Sequence, residues 1–216
     1  MIKAALFDMD GTILNTLDDL TISVNYALRT CGLPERTANE VRIFTGNGKN
    51  VLIHKSLPEG TSSEKEAEVL RVYEEYYNAH SSDHTAPYPG IKELLEKLKA
   101  EGIRLAVVSN KQEVDVIALA DKFYGGLFDV VVGSRPGVPN KPAPDLPEIA
   151  MKELGVTPSE MVYVGDSDVD YKTAVNSKLP MITVLWGFRD RDMLEALGAD
   201  TFAETAEDVY NIIMQH

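Results

Sequence analysis

The sequence predicts an α/β protein: a Rossmann-like parallel-sheet core in three α/β/α layers, interrupted by an inserted helical domain. Three observations lead there. Short apolar runs at residues 2–7, 103–108, 128–132, 161–164 and 181–185 are each followed by helical periodicity, and strand–helix alternation marks a parallel sheet. The runs are continuous rather than alternating, which suits strands buried on both faces. Roughly ninety residues separate the first two runs, where a crossover needs only about ten to twelve.

In chain order, Ile2 and Ala4–Phe7 form the first run, which stops on Asp8 and Asp10 with Gly11 and Thr12 behind. Leu17, Leu20, Val24 and Leu28 recur at helical spacing, predicting a helix over 14–29 that Gly32 and Pro34 stop. A second helix is expected over 38–44. The glycine-rich loop Thr45-Gly46-Asn47-Gly48-Lys49-Asn50 follows, then a helix over 51–56 that Pro58-Glu59-Gly60 breaks. Ser62 or Ser63 caps a long charged helix to about residue 79, with an apolar side that includes Leu70, Tyr73 and Tyr77. Residues 15–85 hold several helices and no strand. They read as an inserted domain above the Asp8 end of the sheet, leaving 1–14 and 86–216 as the core.

After Pro87-Tyr88-Pro89-Gly90, a helix carries Ile91, Leu94, Leu95 and Leu98. The second strand ends on Ser109-Asn110-Lys111 and leads into a helix over 113–123. The third ends on Gly133-Ser134, before a Pro/Gly-rich loop that reaches Asn140-Lys141-Pro142. A helix over 145–154 leads to the fourth strand, which ends on Gly165-Asp166, with Asp168 and Asp170 close behind. The fifth ends at Trp186-Gly187-Phe188, and helices over 194–197 and 206–214 close the chain.

Hydrophobic residues make up 44% of the 216, enough for a packed core, so disorder is not expected. A formal net charge of −13 argues against nucleic-acid and anionic-membrane partners. It does not exclude a small anionic substrate, because a bound cation reverses the local field. Cys31 is the one cysteine, so no intrachain disulfide is expected, and it reads as a small, partly buried apolar residue. No signal-peptide pattern or bilayer-length apolar stretch is evident, so a cytoplasmic location is expected.

Four polar clusters follow strands: Asp8 with Asp10, Ser109 with Asn110, Lys141, and Asp166 with Asp170. In a parallel sheet these fall on one edge, where such folds place their ligands. Converging carboxylates repel unless a cation sits among them. Hard oxygen ligands suit Mg²⁺, and a metal suits a phosphoryl group whose charge must be neutralised. The sequence thus suggests a Mg²⁺-dependent phosphoryl-transfer site. Taken singly, each cluster has a plainer alternative. Asp8, Asp10 and Gly11 could be turn chemistry, Lys141 a solvated loop lysine, Ser109-Asn110 a helix N-cap, and Asp166 and Asp170 caps or a solvated face. His54, His80, His84 and His216 show no metal-ligand spacing and read as solvated.

The run Asp8-Met9-Asp10-Gly11-Thr12 resembles the DxDGT motif of the haloacid dehalogenase-like hydrolase superfamily. Ser109, Lys141 and Gly165-Asp166 with Asp170 resemble its further motifs in the expected order. The insert resembles a type-one cap. TGNG at 45–48, SNK at 109–111, NKPAPD around Lys141 and VLWGFRD at 184–190 are similar to the phosphoglycolate phosphatase-like branch. That resemblance implies Asp8 as nucleophile, Asp10 as general acid and base, and Ser109, Asn110 and Lys141 as holders of the phosphoryl oxygens. It implies Thr12 and the Thr45, Gly46, Asn47, Gly48 loop as substrate contacts. It also implies Mg²⁺ on Asp8, Asp10 (through its carbonyl) and Asp166, with Asp170 as a metal-site partner. The implied activity is hydrolysis of a small phosphomonoester through an aspartyl-phosphate, with 2-phosphoglycolate first and a pyrophosphatase or nucleotidase as the alternative. A phosphosugar mutase is a weaker rival. Outside enzymes, the alternative is a non-catalytic phosphate sensor or scaffold, against which the intact Asp8 and Asp10 speak. A monomer or weak homodimer is expected. Lys49 and Lys111 are candidate partners for a substrate carboxylate, each with the plainer alternative of a surface lysine. Asn176-Ser177 departs from the small Ala-Gly pair common in the family.

Overall fold

A computed structural model describes residues 1–215. The chain divides into two compact units, Met1–Leu14 with Pro87–His216, and Asn15–Ala86. His216 lies outside the described residues.

β1 (Ala4–Phe7) opens the first unit, and the two-residue β2 (Leu14–Asn15) leaves it. The second unit holds α1 (Leu17–Thr30), α2 (Ala38–Phe44), α3 (Lys49–Ser56) and α4 (Ser63–His80). Leu20, Val24, Leu28, Val41, Ile53, Val69 and Tyr73 meet in its own core, which Cys31 borders as a free thiol. Thr37 and Glu40 form a capping box at the start of α2, and the Ser62 hydroxyl caps α4. β3 (Ala86–Pro87) returns the chain, and β2 and β3 pair in a small sheet of their own.

The first unit continues through α5 (Ile91–Ala100), β4 (Arg104–Gln112), α6 (Glu113–Tyr124), β5 (Val130–Ser134), α7 (Asp145–Leu154) and β6 (Met161–Gly165). It closes with α8 (Asp168–Ser177), β7 (Met181–Val184), α9 (Arg191–Leu197), β8 (Phe202–Ala203) and α10 (Ala206–Met214). Six strands form one parallel sheet in the order β5-β4-β1-β6-β7-β8. Strand side chains alternate between its faces. Ala5, Phe7, Leu105, Val107, Val162 and Val164 face one cluster with α5, α6 and α10. Ala4, Leu6, Ala106, Val108, Met161 and Tyr163 face the other with α7 and α8. Both faces are covered, which explains why the sequence runs are continuously apolar. This is the three-layer α/β architecture that the sequence predicts.

Phe7 is level with Val107 on one side and Val164 on the other. Asp8, Ser109 and Asp166 therefore emerge together at the carboxyl edge.

Three local expectations are corrected. β4 runs on to Gln112 with a register slip after Val108, so Ser109-Asn110-Lys111 lies within a strand rather than behind one. The N-cap of α6 is Gln112, which removes the cap reading of Ser109-Asn110. The two-residue strands β2, β3 and β8 go beyond the five strands the sequence predicts, because two residues are too few to show a period, and β2 holds Leu14–Asn15 where the helix was expected to start.

Candidate active site

The turn after β1 sets the first carboxylates. The Met9 carbonyl accepts from the amides of Thr12, Ile13 and Leu14, folding the chain tightly back. Gly11 sits at φ +90°, and a Cβ there would come within 2.4 Å of an Asp166 carboxylate oxygen. Only glycine meets both conditions. Asp8 and Thr12 are buried, and Asp10 carries an ion pair with Lys111 Nζ at 3.3 Å.

Lys141 comes from the loop after β5. Asn110 clamps its backbone: Oδ1 accepts from the Lys141 amide at 2.8 Å, and Nδ2 donates to its carbonyl at 2.9 Å. The ammonium is buried and donates to Asp8 Oδ1 at 2.6 Å, Asp170 Oδ1 at 2.8 Å and the Tyr163 hydroxyl at 3.0 Å. The Val108 carbonyl lies at 3.2 Å. The solvated-loop reading of Lys141 is thereby overturned. Burial alone would lower its pKa, but Asp170 and Asp8 outweigh that and hold the ammonium protonated well above the usual lysine range.

Asp170 combines two readings that the sequence left as alternatives. It is the third residue of a capping box on α8, its Oδ2 accepting from the Ser167 amide and hydroxyl. Its Oδ1 accepts from Lys141 and from the Tyr163 hydroxyl at 2.8 Å. Asp166 is fixed on both oxygens, by Thr12 Oγ1 at 2.9 Å and the Phe188 amide at 2.6 Å. Gly187 lets that loop approach, since a Cβ there would lie 2.2 Å from Asp166 Cβ. The Trp186 indole donates to the Thr12 carbonyl at 2.9 Å, binding the same loop to the turn after β1. Ser109 Oγ accepts from the Lys111 amide, leaving its hydroxyl proton to donate.

Asp8, Asp166 and Asp170 each offer an oxygen within 4.8 Å of the other two. Burial and then the Asp170 charge raise the Asp8 carboxyl well above its usual range, against the pull of Lys141. The same two causes push Asp166 up to about 7. Lys141 pairs with Asp8 and Asp170 and the Arg189 guanidinium acts on Asp166, so two cations face three buried carboxylates, a charge excess that a divalent cation relieves. A metal fits best between Asp8 and Asp166, because each Asp170 oxygen already accepts two hydrogen bonds within the protein while each Asp166 oxygen accepts one.

The remaining expected residues lie in the second unit. The Thr45 hydroxyl donates to the Val41 carbonyl at 2.8 Å, ending α2. Gly46 and Gly48 take φ of +121° and +83°, with Asn47 between them, and Gly48 is the N-cap of α3. Lys49 pairs with Glu74. Among the described histidines, His54 faces Glu66, His80 faces Asp83 and His84 is exposed. Tyr163, Ser167 and Phe188 are site neighbours that sequence reasoning missed. Tyr163 had a signal: a hydroxyl-bearing residue in a strand of otherwise wholly apolar character. The Phe188 contact had none, because it is made by a backbone amide.

The sequence matches the haloacid dehalogenase-like hydrolase family over residues 5–184. The chain belongs to that family. Over 98% of its length it is 30% identical to a phosphoglycolate phosphatase of Chromobacterium violaceum, covering 96% of that protein. It is 31% identical to the phosphoglycolate phosphatase of Aquifex aeolicus, over 86% of each chain. A solved structure from Lactobacillus delbrueckii subsp. bulgaricus, assigned as a phosphoglycolate phosphatase, superposes with a TM-score of 0.94 at 37% identity over 98% of both chains. This family member is a hydrolase, and among its described residues no helix is long and apolar enough to cross a membrane.

Proposed function

We propose that this hydrolase cleaves a small phosphomonoester, most readily 2-phosphoglycolate, with Mg²⁺ and through a phosphorylated Asp8. It is a phosphoric monoester hydrolase, and its partner is a small phosphorylated metabolite. The observation that carries the reading is the pairing of Asp8 Oδ1 with Lys141 Nζ at 2.6 Å beside Asp166. A nucleophile, a cation for the phosphoryl oxygens and a metal ligand stand in one buried place.

Asp8 attacks phosphorus, forming an O–P bond as the bond to the leaving oxygen breaks. Asp10 gives its proton to the departing alkoxide. It then takes a proton from a water whose oxygen attacks the aspartyl-phosphate, releasing inorganic phosphate and free Asp8. Lys141 and the Ser109 hydroxyl hold the phosphoryl oxygens, with Asn110 and Asp170 keeping Lys141 in place. Mg²⁺ would be held by Asp8, the Asp10 carbonyl and Asp166, with Asp170 in support, and would offset charge on the transferring group. Thr12 orients Asp166. The Thr45–Gly48 loop would set substrate choice, and residues 15–85 would act as the cap.

Phosphate release with Mg²⁺ tests this across 2-phosphoglycolate, sugar phosphates, nucleoside monophosphates and pyrophosphate. Strong release from a monoester is expected, abolished by EDTA and by Asp8→Asn with the fold retained. Asp8→Asn activity near wild type would refute the nucleophile assignment, and pyrophosphate as the best substrate would replace the monoesterase reading.

A further inference from the structure

We propose that Lys111 is the residue that recognises a carboxylate next to the phosphoryl ester and so sets the substrate preference. The inference rests on the phosphatase reading above and names the residue behind its specificity. Lys111 is no surface lysine: its side chain is 7% exposed. It follows Ser109 by two residues on β4, as Asp10 follows Asp8 by two beyond β1, and these strands are parallel neighbours. Two carboxylate–ammonium pairs stand at this edge of the sheet. Lys141–Asp8, at 2.6 Å, marks where phosphorus is attacked. Lys111–Asp10, at 3.3 Å, marks where the leaving oxygen receives its proton.

That second position decides what Lys111 meets. A leaving oxygen protonated by Asp10 lies about 2.6–3.2 Å from its carboxyl. A carboxylate on the adjacent carbon is only about 3 Å further along the leaving group. The Lys111 ammonium, already beside Asp10, is then within hydrogen-bonding reach of it. Withdrawing an ammonium from water is unfavourable unless anions surround it. In a chain of net charge −13, a substrate with a second negative charge also needs a local cation. Lys141 faces Asp8 and Asp170 and Arg189 faces Asp168, whereas Lys111 faces Asp10, so Lys111 is the cation placed for the leaving group.

The test compares 2-phosphoglycolate with 2-hydroxyethyl phosphate, in which a CH₂OH group replaces the carboxylate. Lys111→Met should lower kcat/KM about 10- to 100-fold more for the first ester than for the second, the scale of one charge-assisted hydrogen bond. Lys111→Arg should recover part of the difference. For the wild type, glycolate should inhibit competitively far better than ethylene glycol, a measure that needs no variant. Equal losses on both esters would mean that Lys111 serves Asp10 alone, and would overturn the inference. Release from both esters by the wild type without preference would overturn it while leaving the phosphatase reading intact. No release from any monoester would overturn that reading and this one together.

Discussion

Replacing Lys141 by Met keeps most of the length of the side chain and removes its charge from among three buried carboxylates. In the wild type, the ammonium's three protons serve Asp8, Asp170 and Tyr163, with the Val108 carbonyl at the longer 3.2 Å. Breaking a buried pair by removing one partner destabilises by about 3–5 kcal/mol, because the other charge stays buried alone. The folded state can reduce that deficit by binding a proton on Asp8, whose carboxyl is already raised by burial and Asp170. Losing Lys141 removes the one charge that lowers it, so its pKa rises further. An acid with a raised folded pKa binds more protons folded than unfolded, so stability falls as pH rises through that window. Lys141 itself is held protonated well above 10.5 and contributes evenly from pH 5 to 8. The variant's deficit should therefore grow with pH, by up to about 1.4 kcal/mol per unit. Urea unfolding in EDTA at pH 5, 6, 7 and 8 measures this. The single tryptophan, Trp186, lies beside the site and reports on the first unit. A deficit below about 1 kcal/mol at pH 8, or one equal at pH 5 and pH 8, would refute the reasoning.

Gly187→Ala places a methyl 2.2 Å from Asp166 Cβ and forces that carboxylate to move; calorimetry should show Mg²⁺ binding at least about tenfold weaker. Asp166, pushed up to about 7 from its usual 3.8, should make the metal-free protein lose stability as pH rises from about 4 to about 7 and level off above. Protons and Mg²⁺ compete for it, so Mg²⁺ at a hundred times its Kd at pH 8 should add about 2.7 kcal/mol of stability there, and the same concentration should add less at pH 5. Exchanging residues 45–49 should shift substrate preference more than Mg²⁺ affinity; uniform loss over a substrate panel would argue against a specificity role for that loop.

Much of this protein is legible along the chain because its signals are local. A buried strand between helices must be apolar on both faces, so the five longer runs announce themselves. α2, α7 and α10 cover the spans 38–44, 145–154 and 206–214 that the sequence predicts. The motif carboxylates stand at strand ends in the order the fold requires, so their convergence follows from topology alone. The short strand β8 escaped because its two residues have no period, and the extension of β4 because its polar residues read as a loop.

What the sequence determined by itself was therefore the fold class, the family motifs and the edge of the sheet where they meet. Only the tertiary structure decided how each group is held. It put Lys141 among Asp8, Asp170 and Tyr163, gave Asp170 to both a helix cap and an ammonium, and set Lys111 against Asp10. It also closed the Trp186–Phe188 loop over Asp166 with a backbone amide. These contacts join residues up to 174 positions apart, and some use main-chain groups that every residue carries. No local pattern encodes them: they exist once packing has brought distant strands level and excluded the water that would otherwise satisfy the same groups.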